Sequence, residues 1–202
     1  MLKPDLVAAA TGLLGAVPPE VQGSRWNVVT GTSAAAAQVS GLAARLRARK
    51  PGWSAVAVRS ALATAAEPVP GPSLRTGAGR ARDAVAGLVF EVGPRDYRRY
   101  LSGDLSSVRL NTPSIMIRPE HAPVSRVVTN RTGVRRTWRA SLSGFDRHVV
   151  TVDPPAMTLA PGESGRFTVF VSGRPGVHAD SGAVTWRNPG VPAVRVPVAM
   201  GR

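Results

Sequence analysis

The sequence contains no cysteine, which excludes a disulfide framework, a zinc ribbon and a thiol nucleophile together. Lysine is almost missing: Lys3 and Lys50 stand against 24 arginines. Aromatic residues make up 5% of the chain, too few for a platform on which single-stranded nucleic acid could stack. No apolar run is long enough to span a bilayer, so no membrane span is expected. Histidine is scarce as well, with His121, His148 and His178 the whole supply.

What is present begins with turns, since 21 Gly and 18 Pro fall within 202 residues. At 43% apolar the chain can still build a core, which argues against wholesale disorder. The length suits one ordinary domain or two small ones. Basic residues number 26 against 12 acidic, a net charge of +14 of the kind that can attract nucleic acid or anionic membrane. Each half of the chain, however, carries 13 basic and 6 acidic residues, so there is no basic tail. The densest cluster, Arg45, Arg47, Arg49 and Lys50, falls at a helix end where cations suit the dipole. The charge reads as a solvated surface, and no nucleic-acid partner is expected. Lys3 followed by the apolar run Leu6–Val17 has the size of a signal-peptide core. Pro4, Asp5, Gly12, Gly15 and Pro18-Pro19 make that run read as loop instead.

Three zones separate by pattern. Residues 1 to about 30 are rich in Gly, Pro and Ala, with the short apolar run Trp26–Val29. Residues 32 to about 66 have helical spacing in Val39, Leu42, Ala43 and Leu46. Pro51-Gly52 stops that helix, and Ser54 is suited to cap a second one with Val58, Ala61, Leu62 and Ala65 on one face. Pro68, Pro70 and Pro72 end it. From about 119 the period becomes two. Trp138, Ala140 and Leu142 alternate with Arg139 and Ser141, and Phe167, Val169 and Val171 with Thr168 and Phe170. Val124–Thr129, Val149–Val152, Ala183–Trp186 and Val191–Val198 are further strand-like runs. Short strands at this spacing, separated by Pro/Gly turns, predict a β-sandwich of about 80 residues. The stretch 75–118 is mixed and includes the polar, aromatic segment from Tyr97 to Tyr100.

The chemistry centres on Gly31-Thr32-Ser33, followed by Ala34, Ala35 and Ala36. A Ser in the first turn of a helix meets free N–H groups and the positive end of the dipole, and a preceding Gly lets other backbone approach. By itself the pattern is equally a helix cap. Its surroundings are more specific. The stretch Trp26 to Gly41 resembles the serine-nucleophile motif of the subtilisin-like serine peptidases, or subtilases. Lys3-Pro4-Asp5-Leu6-Val7-Ala8 resembles the segment that precedes this motif in the family, and Pro51-Gly52-Trp53-Ser54 with Val58 to Thr64 resembles the helix that follows it. Gly77-Ala78-Gly79, Gly87-Leu88-Val89-Phe90, Asp96-Tyr97, Tyr100-Leu101 and Leu110–Ile115 are similar to steps of the plant-type branch. Val127–Asn130, Leu159–Ser164 and Val194–Val198 resemble that branch's fibronectin type III-like domain.

The resemblance implies an α/β C-terminal portion of a subtilisin-like parallel-sheet domain over residues 1–118, then an all-β fibronectin type III-like sandwich over 119–202. It implies that Ser33 is the nucleophile of peptide-bond hydrolysis, that the substrate is a polypeptide, and that the protein is secreted. No cofactor or metal ligand set is assigned. In the family's chain order the triad Asp and His and the oxyanion Asn come before the Ser, so they would lie upstream of Lys3. His121, His148 and His178 all fall in or beside the sandwich and read as surface or strand histidines, and Asp5 belongs to the Lys-Pro-Asp segment. The chain alone is therefore expected to be inactive, with an upstream chain carrying the missing groups as a partner. Ala34, Ala37 and Gln38 replace the family's Met, Pro and His, and Ala9-Ala10 replace its Pro-Gly. An open, partly apolar sheet edge is expected in the N-terminal half. The alternative reading is a non-catalytic remnant whose sandwich binds protein or cell wall, and a basic anion-binding protein ranks last.

Overall fold

The computed structural model describes residues 1–117, 123–172 and 179–201. His121 and His178 lie outside the described residues, as does the boundary drawn between 118 and 119. The N-terminal part opens with β1 (Leu13–Ala16), α1 (Pro19–Gln22) and β2 (Trp26–Val29). Then follow α2 (Thr32–Arg49), α3 (Ala55–Thr64) and α4 (Ser73–Thr76). The two long helices form where the spacing predicts them, and the Ser54 hydroxyl accepts the Ala57 N–H as the cap of α3. Several elements escape the sequence pattern, two of them for want of an apolar period. β1 is interrupted by Gly15, and α5 (Pro94–Leu101) buries nothing, so neither has an apolar period to reveal it.

β1 and β2 pair antiparallel, Leu13 opposite Val29 and Ala16 opposite Trp26. The neighbour that each finds is the next strand in sequence, beyond the short helix α1, whereas parallel pairing needs a longer crossover. Parallel contact near this region is limited, among the described residues, to the bridge between Val7 and Arg80. The apolar surface left open here is a face of this hairpin and not the edge of a parallel sheet: the cross-strand partners Leu14 and Val28 are 71% and 63% accessible.

The remaining strands are β3 (Leu88–Val89), β4 (Ile115–Ile117), β5 (Val124–Asn130), β6 (Arg136–Ser143), β7 (Val149–Asp153), β8 (Ala156–Leu159), β9 (Ser164–Ser172), β10 (Asp180–Arg187) and β11 (Val194–Met200). They form a sandwich of a five-stranded sheet, β4-β11-β10-β6-β8, and a four-stranded sheet, β3-β5-β9-β7. Every pairing is antiparallel except β4 with β11. Between the sheets lie Trp138, Trp186, Phe167 and Phe90, all fully buried, with Phe167 edge-on against both Phe90 and Trp186. Alternation holds along β9, where Phe167 and Val169 are buried and Phe170 is exposed. It fails at Leu142, which lies beyond the stretch of β6 paired with β8 and stays 37% accessible.

β3 is the wall between two cores. Leu88 points into the sandwich, while Val89 joins Leu46, Val58, Ala61 and Leu62 from α2 and α3. A strand of only two residues can serve both because its side chains alternate. The Phe90 amide then donates to the Ser60 hydroxyl on α3 at 2.8 Å. Gly87, just before β3, lies where an added methyl would meet the Trp138 ring at 2.8 Å, so the strand approaches the core only as glycine permits.

Candidate functional site

Residues 78–81 run between the stretch preceding β1 and Glu67. Ala78 N–H donates to Asp5 O, Val7 N–H to Gly79 O and Ala81 N–H to Val7 O, at 2.8 to 3.0 Å. On the other side Arg80 and Glu67 exchange backbone bonds of 2.8 and 2.9 Å. The Lys-Pro-Asp segment and the Gly-Ala-Gly step, 70 residues apart in sequence, are thus neighbours in one small ladder. Asp5 receives Lys3 Nζ at 2.6 Å and Arg59 Nη2 at 3.0 Å, the latter from α3. Burial pushes the Asp5 carboxyl up, but the hydrogen bonds and charges of Lys3 and Arg59 outweigh it and hold the group below the usual carboxylate range.

From this ladder the chain turns through residues 8–12 and returns as β2, bringing Ser33 to the start of α2. Gly31 N–H donates to Ala10 O at 2.7 Å, and Gln38 Nε2 to Ala9 O at 3.3 Å. Two of the positions that depart from the family pattern therefore touch each other, with Gln38 anchoring the loop at Ala9. Gly31 has φ +153° and ψ 159°, a conformation costly for any residue with a side chain. It turns the backbone so that its own carbonyl accepts from Ala34 N–H at 3.0 Å and Ala35 N–H at 3.3 Å. The Thr32 and Ser33 amides precede these bonds and have no carbonyl within the helix to receive them. Ser33 is exposed, and among the described residues its hydroxyl makes no hydrogen bond. A small exposed surface of Ala36 and Ala37 continues beyond it. The exposed hydroxyl is open to solvent, and first-turn helix amides are donors of the kind that stabilise negative charge.

Among the described residues no histidine is hydrogen-bonded to the Ser33 hydroxyl. His148, the histidine among the described residues, lies at the start of β7, with Nδ1 3.1 Å from Asp180 Oδ2. Asp180 also accepts the backbone N–H groups of Arg147, His148 and Ser181 at 2.9 to 3.1 Å. This pair ties the turn after β6 to the start of β10 and belongs to the sandwich. Sequence reasoning missed Asp180, whose only local sign is a polar residue at a buried strand start. Burial pushes its carboxyl up, but the His148 and backbone hydrogen bonds outweigh this and leave its pKa lowered. The folded value lies under the unfolded value of about 3.9, so the stabilisation is complete above that pH and is lost as pH falls through the folded value. Asp180→Asn is expected to cost about 2–3 kcal/mol at pH 7 and progressively less below pH 4, measured by urea unfolding across pH. A gap that stays constant with pH would contradict the charge-based account.

Among the described residues no group of His, Asp or Glu is arranged to hold a metal, and no helix is long and apolar enough to cross a membrane. Residues 1–80 match the Subtilase family and residues 109–200 match a Fibronectin type-III domain. Relatives run across almost the whole chain. Subtilisin-like protease SBT3.16 of Arabidopsis thaliana is 29% identical over 99% of this chain and 32% of its own length. Subtilisin-like protease SBT5.3 of the same plant is 30% identical over 85% of this chain and 28% of its own length. The chain thus spans about a third of the length of the curated relatives it matches. Among solved structures, the Pseudomonas aeruginosa CupB2 chaperone covers 44% of this chain and 52% of its own at 13% identity, with a TM-score of 0.37 too low to carry weight.

Proposed function

The chain belongs to the subtilase family in its plant-type form with a C-terminal fibronectin type III-like domain, and from that premise we propose that it is the nucleophile-bearing part of a serine endopeptidase. Ser33 Oγ adds to the carbonyl carbon of a polypeptide substrate, its proton passing to an imidazole supplied by a segment upstream of Lys3, and the carbonyl oxygen gains negative charge that donors such as first-turn helix amides stabilise. The C–N bond then breaks with the proton delivered to the amine, and water releases the acyl group from Ser33. The observation that carries the reading is the exposed Ser33 on the first turn of α2, two residues after Gly31.

On this reading residues 1–118 are the catalytic-domain portion and 119–202 the fibronectin-like domain, with β3 and β4 lent by the first to the sheets of the second. The triad Asp and His and the oxyanion Asn come from a segment upstream of Lys3, the protein is secreted, and the 202 residues alone are inactive. The exposed Leu14 and Val28 side chains suit burial against such a segment.

A fluorophosphonate probe tests this. Labelling is expected at Ser33 when the chain is combined with the upstream segment of a matching relative, and neither with the chain alone nor with Ser33→Ala. Since the Ser33 hydroxyl holds no hydrogen bond, that variant should unfold at the same urea concentration as the parent. Labelling that persists in Ser33→Ala, or no labelling in the combined sample, would overturn the assignment.

A further inference from the structure

The arginines, evenly spread in sequence, are not evenly spread in space. The five-stranded sheet carries Arg136, Arg139, Arg187 and Arg195 against one acid, Asp180. Asp180 stands at the far end of β10 from Arg187 and is occupied by His148. Arg139 and Arg187 are direct cross-strand partners of β6 and β10, both exposed on the outer face. Like charges placed opposite one another on paired strands repel. No carboxylate among the described residues relieves them: Arg187 Nη1 donates to the Ser141 hydroxyl at 2.5 Å, and Arg139 has no hydrogen bond or ion pair.

The pair borders an open groove of about 740 Å³ whose lining contains no acid. Its other side is the turn from Pro189 to Ala193, which is held rigidly. Arg136 Nη1 donates to Asn188 Oδ1 at 2.6 Å and to Pro189 O at 3.0 Å, and Asn188 Nδ2 donates to Thr137 O at 2.7 Å. The Arg136 Nε is buried without a partner. Pro189, Val191 and Ala193 give that side an aliphatic surface. The groove therefore combines two unneutralised guanidinium forks with an apolar wall, and it has no aromatic ring on which a sugar or a base would stack.

We propose that this groove docks an extended acidic peptide, one Asp or Glu carboxylate lying between the Arg139 and Arg187 guanidinium groups and the neighbouring apolar side chains resting on Val191 and Ala193. An extended strand presents alternate side chains to opposite faces, so a single carboxylate and its second neighbours meet the arginines and the wall together. The site is independent of Ser33 and of the reading given above for it.

The test is a binding titration of the full chain against a fluorescent Val-Ser-Glu-Ser-Val peptide, whose Glu and two Val side chains share one face when extended, its Gln counterpart, and polygalacturonate. Binding of the acidic peptide alone is expected, weakened at least about tenfold in Arg139→Gln/Arg187→Gln, as loss of charge-assisted bonds requires. Arg95→Gln/Arg99→Gln, both exposed on α5, removes the same net charge and should leave affinity unchanged. Equal weakening in both variants, equal binding of the Gln peptide, or binding of the polyuronate alone would overturn the proposal. If the sheet variant unfolds, NMR shifts of the unaltered chain on peptide addition decide. Shifts confined to Thr137, Arg139, Arg187 and Val191 uphold the site, and their absence there refutes it.

Discussion

Arg126→Ala should destabilise the protein by about 3–5 kcal/mol, the cost of breaking a buried charged network. Arg126 lies on β5, only 2% accessible, and its guanidinium donates to four main-chain carbonyls. These are Thr112 O from Nε at 3.1 Å, Val108 O and Ser125 O from Nη1 at 2.8 and 3.0 Å, and Ser114 O from Nη2 at 3.0 Å. Among the described residues it has no carboxylate partner, and burial pushes its pKa down to about 10, still charged at neutral pH. What it neutralises is an edge. β3 pairs with β5 only at Thr129 and Asn130, so the rest of that edge would face solvent or an unsatisfied loop. Arg126 and Asn111 sew residues 108–114 onto it. The Asn111 amide receives Val127 N–H and donates to Val127 O, both at 2.8 Å, as a strand neighbour would.

Truncation to Ala leaves those carbonyls unbonded and opens a cavity, whereas Arg126→Met fills the space and leaves only the carbonyls. Met should therefore recover part of the loss and not all of it. Lys keeps the charge but not the planar fork, and should fall between. Urea unfolding of the three variants checks the order. Wild-type stability in Arg126→Met would show that the carbonyls never needed the guanidinium.

Gly79→Ala is expected to release the N-terminal segment from the rest of the molecule. Gly79 has φ +122°, where a side chain is strained, and a methyl there would collide with the Glu67 carbonyl oxygen and sit 2.8 Å from its carbon. The obstacle is backbone on a ladder strand and cannot swing aside. A loss of about 3 kcal/mol or more follows from strain and overpacking combined. The same position holds Val7 through the bond from Val7 N–H to Gly79 O, so the effect passes along residues 5–10 to the loop that receives Gly31 N–H. Hydrogen exchange should show faster exchange at Val7, Gly31 and Ala81 in the variant, with the β9 and β10 amides unchanged. Uniform protection across all of them would refute the coupling between this ladder and the Ser33 loop.

How much of this could be read in advance differs from one element to the next. The Ser54 cap, the Pro51-Gly52 stop and the alternation around Phe167 and Trp138 were legible because each is a local matter of a hydrogen bond, a turn or a period. The start of α2 at Thr32-Ser33 was legible in the same way. β3 was not, since two residues carry no period, and α5 was not, since it buries nothing. Arg126 sat unnoticed in a strand-like run where an inward-facing charge looks like an exception until its four carbonyls are seen.

The sequence by itself determined the two long helices, the period-two half, the Gly31-Thr32-Ser33 start of α2 and the net charge of +14. Only the tertiary structure decided who meets whom. It set residues 5–7 beside 78–81, made Leu88 and Val89 face different cores, gave His148 to Asp180, and stood Arg139 opposite Arg187. The physical reason is that propensity and periodicity act over a few neighbouring residues, whereas sheet register and ion pairing join residues tens of positions apart. An evenly distributed charge along the chain thus became, through strand register alone, a pair of unneutralised arginines at one end of one sheet.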